Sequence, residues 1–390
     1  MPGDDGPPAD ASTRRSDAPL KRSGVPPGPP GVFEAECRDY DVDGIERLLR
    51  EGLEWLGARL PAGKLVVVKP NVLGAYAPEQ HVTTHPAVLE ALVRILRDGA
   101  NRIVIADSSG NGQHGHTARA LQVSGVREVA ERYGIQAVSL DSQPDPAAQA
   151  FPISSVIREA DWIVNVPKMK SHQLMRYTGA VKNLFGCMPG ATKLRCHLDN
   201  PDPARFANWL LILYRALAPK ILLNVMDGIV GLEGPGPGPA GRAKKTGLLA
   251  ASQDALALDF AVTQFLGVRS RDIPTTRLAM DQGLFLGDVA LNQALKPVAF
   301  ALPNPLPIAG LLHRVFPRFA MSRPYAVPET CRLCGACARA CPRGAVAVHD
   351  SVRFDYSRCI FCYCCHENCP QAAIALRQHP FLRLFNALGP

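Results

Sequence analysis

From Val32 to about residue 300, short runs of β-branched and aliphatic residues alternate with longer stretches in which apolar side chains recur every three or four positions. The short runs are Lys64–Lys69, Arg102–Ala106, Gln136–Leu140, Trp162–Val166 and Lys220–Met226; each is apolar nearly throughout, as in strands buried on both faces of a parallel sheet. The longer stretches read as helices: Gly44 to Arg59, Pro86 to Gly99 with Val88, Leu89, Leu92, Val93 and Leu96 on one face, Thr117 to Tyr133, Pro203 to Ala218, and Asp254 to Leu266. Strand and helix in alternation predict an α/β fold, a mostly parallel sheet with helices on both faces. Ligands of such sheets bind outside the carboxyl ends of the strands. Those ends carry Lys69-Pro70-Asn71, Asp107-Ser108, Asn165-Val166-Pro167-Lys168 and Asp227-Gly228, polar groups where the apolar runs stop.

Outside this region the pattern changes. Residues 1–31 are Pro, Gly, Asp, Ser and Arg with almost no apolar side chains, and read as a disordered extension. The α/β domain is assigned to 32–302. Residues 303–328 are rich in proline, at Pro303, Pro305, Pro307, Pro317, Pro324 and Pro328, and read as a stiff connector. A compact module at 329–372 and a tail at 373–390 follow, the apolar Phe381–Leu388 being expected to pack on a neighbouring domain.

The module reads Cys331-x-x-Cys334-x-x-Cys337-x-x-x-Cys341-Pro342 and then Cys359-x-x-Cys362-x-x-Cys365-x-x-x-Cys369-Pro370. This is the spacing of the bacterial iron–sulfur run, in which three thiolates of one loop hold one cubane and the cysteine before the proline crosses to the other. Two [4Fe-4S] clusters are expected, one on Cys331, Cys334, Cys337 and Cys369, the other on Cys359, Cys362, Cys365 and Cys341. The segment resembles a small α+β two-cluster ferredoxin-like domain along its whole length. Zinc knuckles also use C-x-x-C pairs, but zinc does not call for a Cys-Pro three residues on. Cys364 fits neither run and is expected to point away as a spare thiol, a shift of frame onto it being the alternative.

Composition adds limits. A hydrophobic content of 47% in 390 residues suffices for a proper core. The cysteines outside the two runs, Cys37, Cys187, Cys196 and Cys364, form no framework of pairs, which points to a reducing compartment. No apolar leader follows Arg14-Arg15 and no apolar run approaches the ~20 residues of a membrane span, so a cytoplasmic protein is expected. The formal charge of +8 shrinks when each oxidised cubane with its thiolates contributes about −2. The total therefore does not imply nucleic-acid binding.

Charge is unevenly placed. Trp162 to Leu198 contains no Asp or Glu but holds Lys168, Lys170, Arg176, Lys182, Lys193 and Arg195, with His172 and His197. Such a stretch beside a strand's carboxyl end suits a small anionic ligand, with Lys168, Lys170 and His172 at the mouth and Lys182-Asn183 and Lys193 closing over it. A solvated face is one alternative; nucleic acid is another, but Tyr177 and Phe185 alone make a poor stacking platform. His172, His197, Cys187 and Cys196 would be a metal site only if the fold gathered them. Asp227 through Gly238, alternating Gly and Pro after a strand, reads as a loop that approaches a ligand closely or as a surface loop. Asn111-Gly112-Gln113-His114-Gly115-His116 is a weaker candidate turn.

The residues Val68-Lys69-Pro70-Asn71, Thr84-His85-Pro86, Ile105-Ala106-Asp107-Ser108, Asn165 through His172, Gly179 through Gly186, and Asp227-Gly228-Ile229 through Gly238, with Asp254 and Asp259, resemble the family named domain of unknown function 362, often joined to a two-cluster ferredoxin module. The resemblance spans about 32–300 and implies the architecture and the site, with no common reaction. The expected site residues are Lys69, Asn71, Asp107, Lys168, Lys170, His172, Lys182, Asn183, Lys193 and His197. The expected function is passage of low-potential electrons from the clusters to a small anionic substrate or cofactor in the crevice; the alternative is an electron-relay or cofactor-maturation protein that docks a partner. An electron-donor protein or reductase is implied either way. No flavin or nicotinamide motif is visible, so an oxidoreductase activity of the chain would run on single electrons.

Overall fold

The computed structural model describes residues 28–110, 116–141, 152–303 and 321–377. Its centre is a ten-stranded sheet in the order β10-β1-β9-β8-β5-β2-β3-β4, with β6 and β7 attached beside β8. The strands are β1 Gly31–Glu36, β2 Leu65–Lys69, β3 Arg102–Asp107, β4 Gln136–Ser139, β5 Trp162–Asn165, β6 Lys168–His172, β7 Arg176–Thr178, β8 Ile221–Glu233, β9 Arg242–Ser252 and β10 Ala290–Leu291. β8, β5, β2, β3 and β4 run parallel, and β9 closes that half antiparallel to β8.

Alternation along each strand feeds two cores. Val66 and Val68 of β2 face α1 (Val42–Trp55) and α2 (Pro86–Arg97), while Val67 faces α8 (Pro203–Leu217) and α9 (Ala255–Phe265). Side-chain caps hold the helix starts in register: Asp41 accepts from Gly44 N, Asp202 from Ala204 N and Arg205 N, and Asp254 from Leu256 N and Ala257 N.

The single helix expected over Thr117–Tyr133 is two, α3 (His116–Val123) and α4 (Val126–Arg132). Gly125, at φ 75°, lets the chain turn between them. A second difference lies at Asp227, where a loop was expected. β8 continues through Glu233, paired with β9 by Gly228↔Leu248 and Gly231↔Lys244. The glycines serve close packing there: a Cβ on Gly231 would stand 2.9 Å from Met169 Cε, and one on Gly228 2.9 Å from Leu248 O.

The cysteine-rich module has two antiparallel pairs, β11 (Arg323–Ala326) with β14 (Ile374–Arg377) and β12 (Val346–Val348) with β13 (Val352–Phe354), and two short helices, Ala336–Arg339 and Cys364–Glu367. β11 and β14 thus take residues that were expected in the connector and the tail, and Gly31 of the expected N-terminal extension opens β1. The rest of those segments (1–27, 304–320, 378–390) and Asn111–Gly115 of the glycine-rich turn lie outside the described residues.

The halves of the module repeat one backbone course. Leu333 and Phe361 have φ 50° and 54°; Gly335 and Tyr363, at 74° and 63°, each open the short helix that follows. A left-handed Tyr is strained, at a cost of order 1–3 kcal/mol. It is held because Phe361 and Tyr363 are buried in the large core of the α/β domain. The second cysteine loop is therefore the one that docks.

Candidate functional site

The site is assembled where β2, β3 and β5 end. Lys69 Nζ meets Asp107 Oδ1 at 2.8 Å across adjacent strand ends, both fully buried, and also donates to Pro70 O. Asp107 accepts further from Val72 N at 2.7 Å and Ser108 N at 2.8 Å. Burial pushes this carboxyl up, against the pull of Lys69 and Lys193. Beside the pair runs a chain of amides. Asn71 Nδ2 donates to Asn183 Oδ1, Asn183 Nδ2 to Asn165 Oδ1, and Asn165 Nδ2 to Asn224 Oδ1, each at 2.8 Å. At its outer end Asn71 Oδ1 has no partner.

α6 (Ala180–Asn183) and α7 (Gly190–Asp199) supply the cations. The start of α6 is fixed by Asp259, which accepts from Ala180 N and Val181 N. Lys193 reaches back to donate to Ser108 O and to Ser109 O, and burial pulls its ammonium down to about 8. Lys182 donates no hydrogen bond to any described residue; its Nζ lies 6.0 Å from the Phe185 ring centre. His197 stacks on Phe206 at 4.7 Å, with Nδ1 unpartnered, and burial lowers it to about 3.

The fourth wall comes from the module. Cys364, Glu367 and Asn368 join Lys69, Asn71, Asp107, Ser108, Lys182, Asn183, Phe185, Lys193 and His197 around one crevice that opens to solvent. Glu367 is 8% exposed, and desolvation raises its carboxyl to about 7, opposed by Lys182 and Lys170. His172 Nδ1 accepts from Leu174 N and Met175 N, so its proton sits on Nε2, which lies 3.1 Å from Glu367 Oε1. The approach is off-line, and Oε1 stays without a hydrogen bond.

Seven of the ten expected site residues therefore line one crevice: Lys69, Asn71, Asp107, Lys182, Asn183, Lys193 and His197. Lys168, Lys170 and His172 do not stand at a mouth. Lys168 donates to Asp227 Oδ2 at 2.9 Å and Tyr40 OH at 2.8 Å, Lys170 to Val82 O at 2.7 Å, and all three are buried. β6 turns them inward between β8 and β7, where an acid from another part of the chain answers Lys168. His172, His197, Cys187 and Cys196 are not gathered; burial pushes both thiols up to about 12.

Cys364 does not point away. It is buried and lines the crevice. The module's repeat shows why: Tyr363 takes the place of Gly335, so Cys364, His366, Glu367 and Asn368 stand where the first half has Ala336, Ala338, Arg339 and Ala340. Aligning the two halves position by position would have marked these residues in the sequence. The Gly-Pro stretch, expected to approach a ligand or to form a surface loop, seats the module instead. His366 Nε2 lies 2.8 Å from Pro235 O, and a Cβ on Gly238 would stand 2.8 Å from Glu367 O.

Cys331, Cys334, Cys337 and the distant Cys369 line a separate small cavity. Backbone N–H groups point at sulfur from Ala345 to Cys341, Phe361 to Cys359 and Ala373 to Cys369. Four thiols around a space, with amide donors on sulfur, are what a cubane needs. Among the described residues no three His, Cys, Asp or Glu side chains converge as a single-ion site requires.

Residues 323–370 match the 4Fe-4S dicluster domain, and residues 66–264 match the domain of unknown function DUF362. The chain belongs to the DUF362 family. It is 32% identical over 284 residues to the thylakoid-associated protein sll1697 of Synechocystis sp., covering 67% of this chain and 86% of that protein. Among solved structures, the lactate racemase apoprotein from Thermoanaerobacterium thermosaccharolyticum aligns at TM-score 0.35 and 13% identity, over 58% of this chain and 54% of that one. A Thermotoga maritima protein aligns at 0.31 and 14%, over 51% and 52%. This DUF362 protein thus spans about half the length of either solved chain. No helix among its described residues is long and apolar enough to cross a membrane.

Proposed function

We propose that this DUF362 protein is an iron–sulfur electron-transfer protein that serves a small anionic compound, a substrate or an assembling cofactor, held in the crevice. Cys331, Cys334, Cys337 and Cys369 would hold one [4Fe-4S] cluster and Cys359, Cys362, Cys365 and Cys341 the other. When bound, these clusters supply one-electron chemistry. The observation that carries the reading is the wall made by Cys364, Glu367 and Asn368: the second cysteine loop itself closes the crevice. Lys182, whose ammonium has no hydrogen-bond acceptor among the described residues, meets the anionic group; the Lys69–Asp107 pair and the amide chain from Asn71 to Asn224 fix the floor. Burial by Phe185 and the docked loop keeps water from competing for these contacts.

The test is single-turnover. Anaerobically prepared, chemically reduced protein is mixed with candidate small anions, and reoxidation is followed optically. A compound that reoxidises the native protein, but not Lys182→Ala with its full iron content, supports the reading. A relay to another protein is the second reading, favoured by the exposed Cys334 and Leu333 at the rim of the first cavity. Reoxidation that is rapid with an acceptor protein and indifferent to every small anion would replace the first reading with the second.

A further inference from the structure

The open polar atoms of the crevice describe their ligand. Lys69 and Lys193 are already paired, to Asp107 and to the carbonyls of Ser108 and Ser109. Lys182 Nζ offers hydrogen bonds that no described residue accepts. The same crevice is lined by residues whose buried polar atoms have no hydrogen-bond partner: the acceptors Asn71 Oδ1 and Glu367 Oε1, the latter with only the off-line His172 Nε2 at 3.1 Å, and Thr178 Oγ1 and His197 Nδ1. A buried acceptor without a partner is a cost that folding alone would not retain. The sister half of the module has Arg339 at the position of Glu367, so the carboxylate is no requirement of the cysteine loop. A bare anion would satisfy Lys182 but leave Asn71 unpaired and be repelled by Glu367.

Building on the crevice reading, we infer that the ligand carries both an anionic group and a hydrogen-bond donor, as a small hydroxy- or amino-carboxylate does, and that Glu367 of the cysteine-rich module is a specificity-determining residue. Lys182 takes the carboxylate. Asn71 Oδ1 and Glu367 Oε1 take the hydroxyl or ammonium hydrogens. Sites built on such acceptors discriminate strongly against analogues lacking the donor, because the acceptors are then left bare.

The experiment uses anaerobic, iron-loaded protein and calorimetric titration with two probe sets that differ in a single substituent: acetate, glycolate and glycine; succinate, malate and aspartate. In at least one set the hydroxyl- or ammonium-bearing probe should bind ten-fold or more tightly than the bare acid. Glu367→Met, which keeps the bulk and removes the acceptor, should bring that ratio within two-fold while iron content and Tm are kept or raised. Equal binding of bare and substituted acids sinks this inference and leaves the anion site standing. No binding by any of the six, at full iron content, sinks the crevice reading and this inference with it. A Glu367→Met protein that loses iron or melts several degrees lower would show a structural partner of Lys170 and Lys182, and overturn the inference.

Discussion

The ring of His366 links the two parts of the molecule: its Nε2 lies 2.8 Å from the carbonyl oxygen of Pro235, and its Nδ1 2.6 Å from that of Ile374. His366 comes from the second cysteine loop and Pro235 from the chain after β8, so an imidazole with its proton on Nε2 ties the loop to the crevice it closes. Around it Ser171 Oγ donates to Gly234 O and accepts from Gly236 N. This clasp sets how closely Glu367 and Cys364 approach Lys182.

His366→Ala should loosen that docking while leaving the cysteines in place. A buried carbonyl stripped of its donor costs about 1–3 kcal/mol, so local opening of the loop should rise about five-fold or more. Hydrogen exchange of residues 364–368 and 234–238, compared with the β2–β3 strands, measures it. Equal acceleration everywhere would mean that the substitution weakens the whole fold instead of the clasp.

Much of this arrangement was legible in the chain. The apolar runs mark the strands, because parallel strands covered on both faces need little besides Val, Ile and Leu. The cysteine spacing gave the module because its repeat is rigid. The acid-free stretch misled, since sequence distance hides the acid that answers one of its cations: Asp227, the partner of Lys168, lies 59 residues away. The fold shows that, of this stretch's cations, Lys182 donates no hydrogen bond to any described residue. The wall contributed by residues 364–368 escaped because Cys364 was judged by ligand spacing, without comparison to Ala336.

Cys364→Ala should leave iron loading at about eight atoms per chain, four per cubane. In the module's repeat Cys364 occupies the place of Ala336, which holds no metal. Iron and sulfide analysis after anaerobic reconstitution decides it; loss of about half the iron would move the second cluster's frame onto Cys364.

Gly186→Ala should break the Lys69–Asp107 pair. A Cβ there would stand 2.2 Å from Asp107 Oδ1 and 2.5 Å from Lys69 Nζ, so the two side chains must shift from their present contact. Breaking a buried pair costs about 3–5 kcal/mol. Denaturant unfolding of the iron-loaded protein should show a loss of this size; a change under about 1 kcal/mol would mean that the pair has slack.

His197 should make the fold sensitive to mild acid. Burial among Phe185, Phe206 and two lysines lowers it from its ordinary 6.5 to about 3, so the folded chain refuses a proton that the unfolded chain accepts. Its contribution is then fully present above pH 6.5 and is lost as pH falls toward 3. A whole unmatched proton is about 1.4 kcal/mol per pH unit. His197→Phe keeps a ring against Phe206 and removes the titration. Between pH 6.5 and 5 it should lose about 1–2 kcal/mol less than the native protein in denaturant unfolding. Part of the native slope should persist in the variant, because His85, lowered by burial to about 4, acts in the same direction. Identical slopes for the two proteins would mean that His197 accepts its proton inside the fold, and that the crevice is wetter than its lining implies.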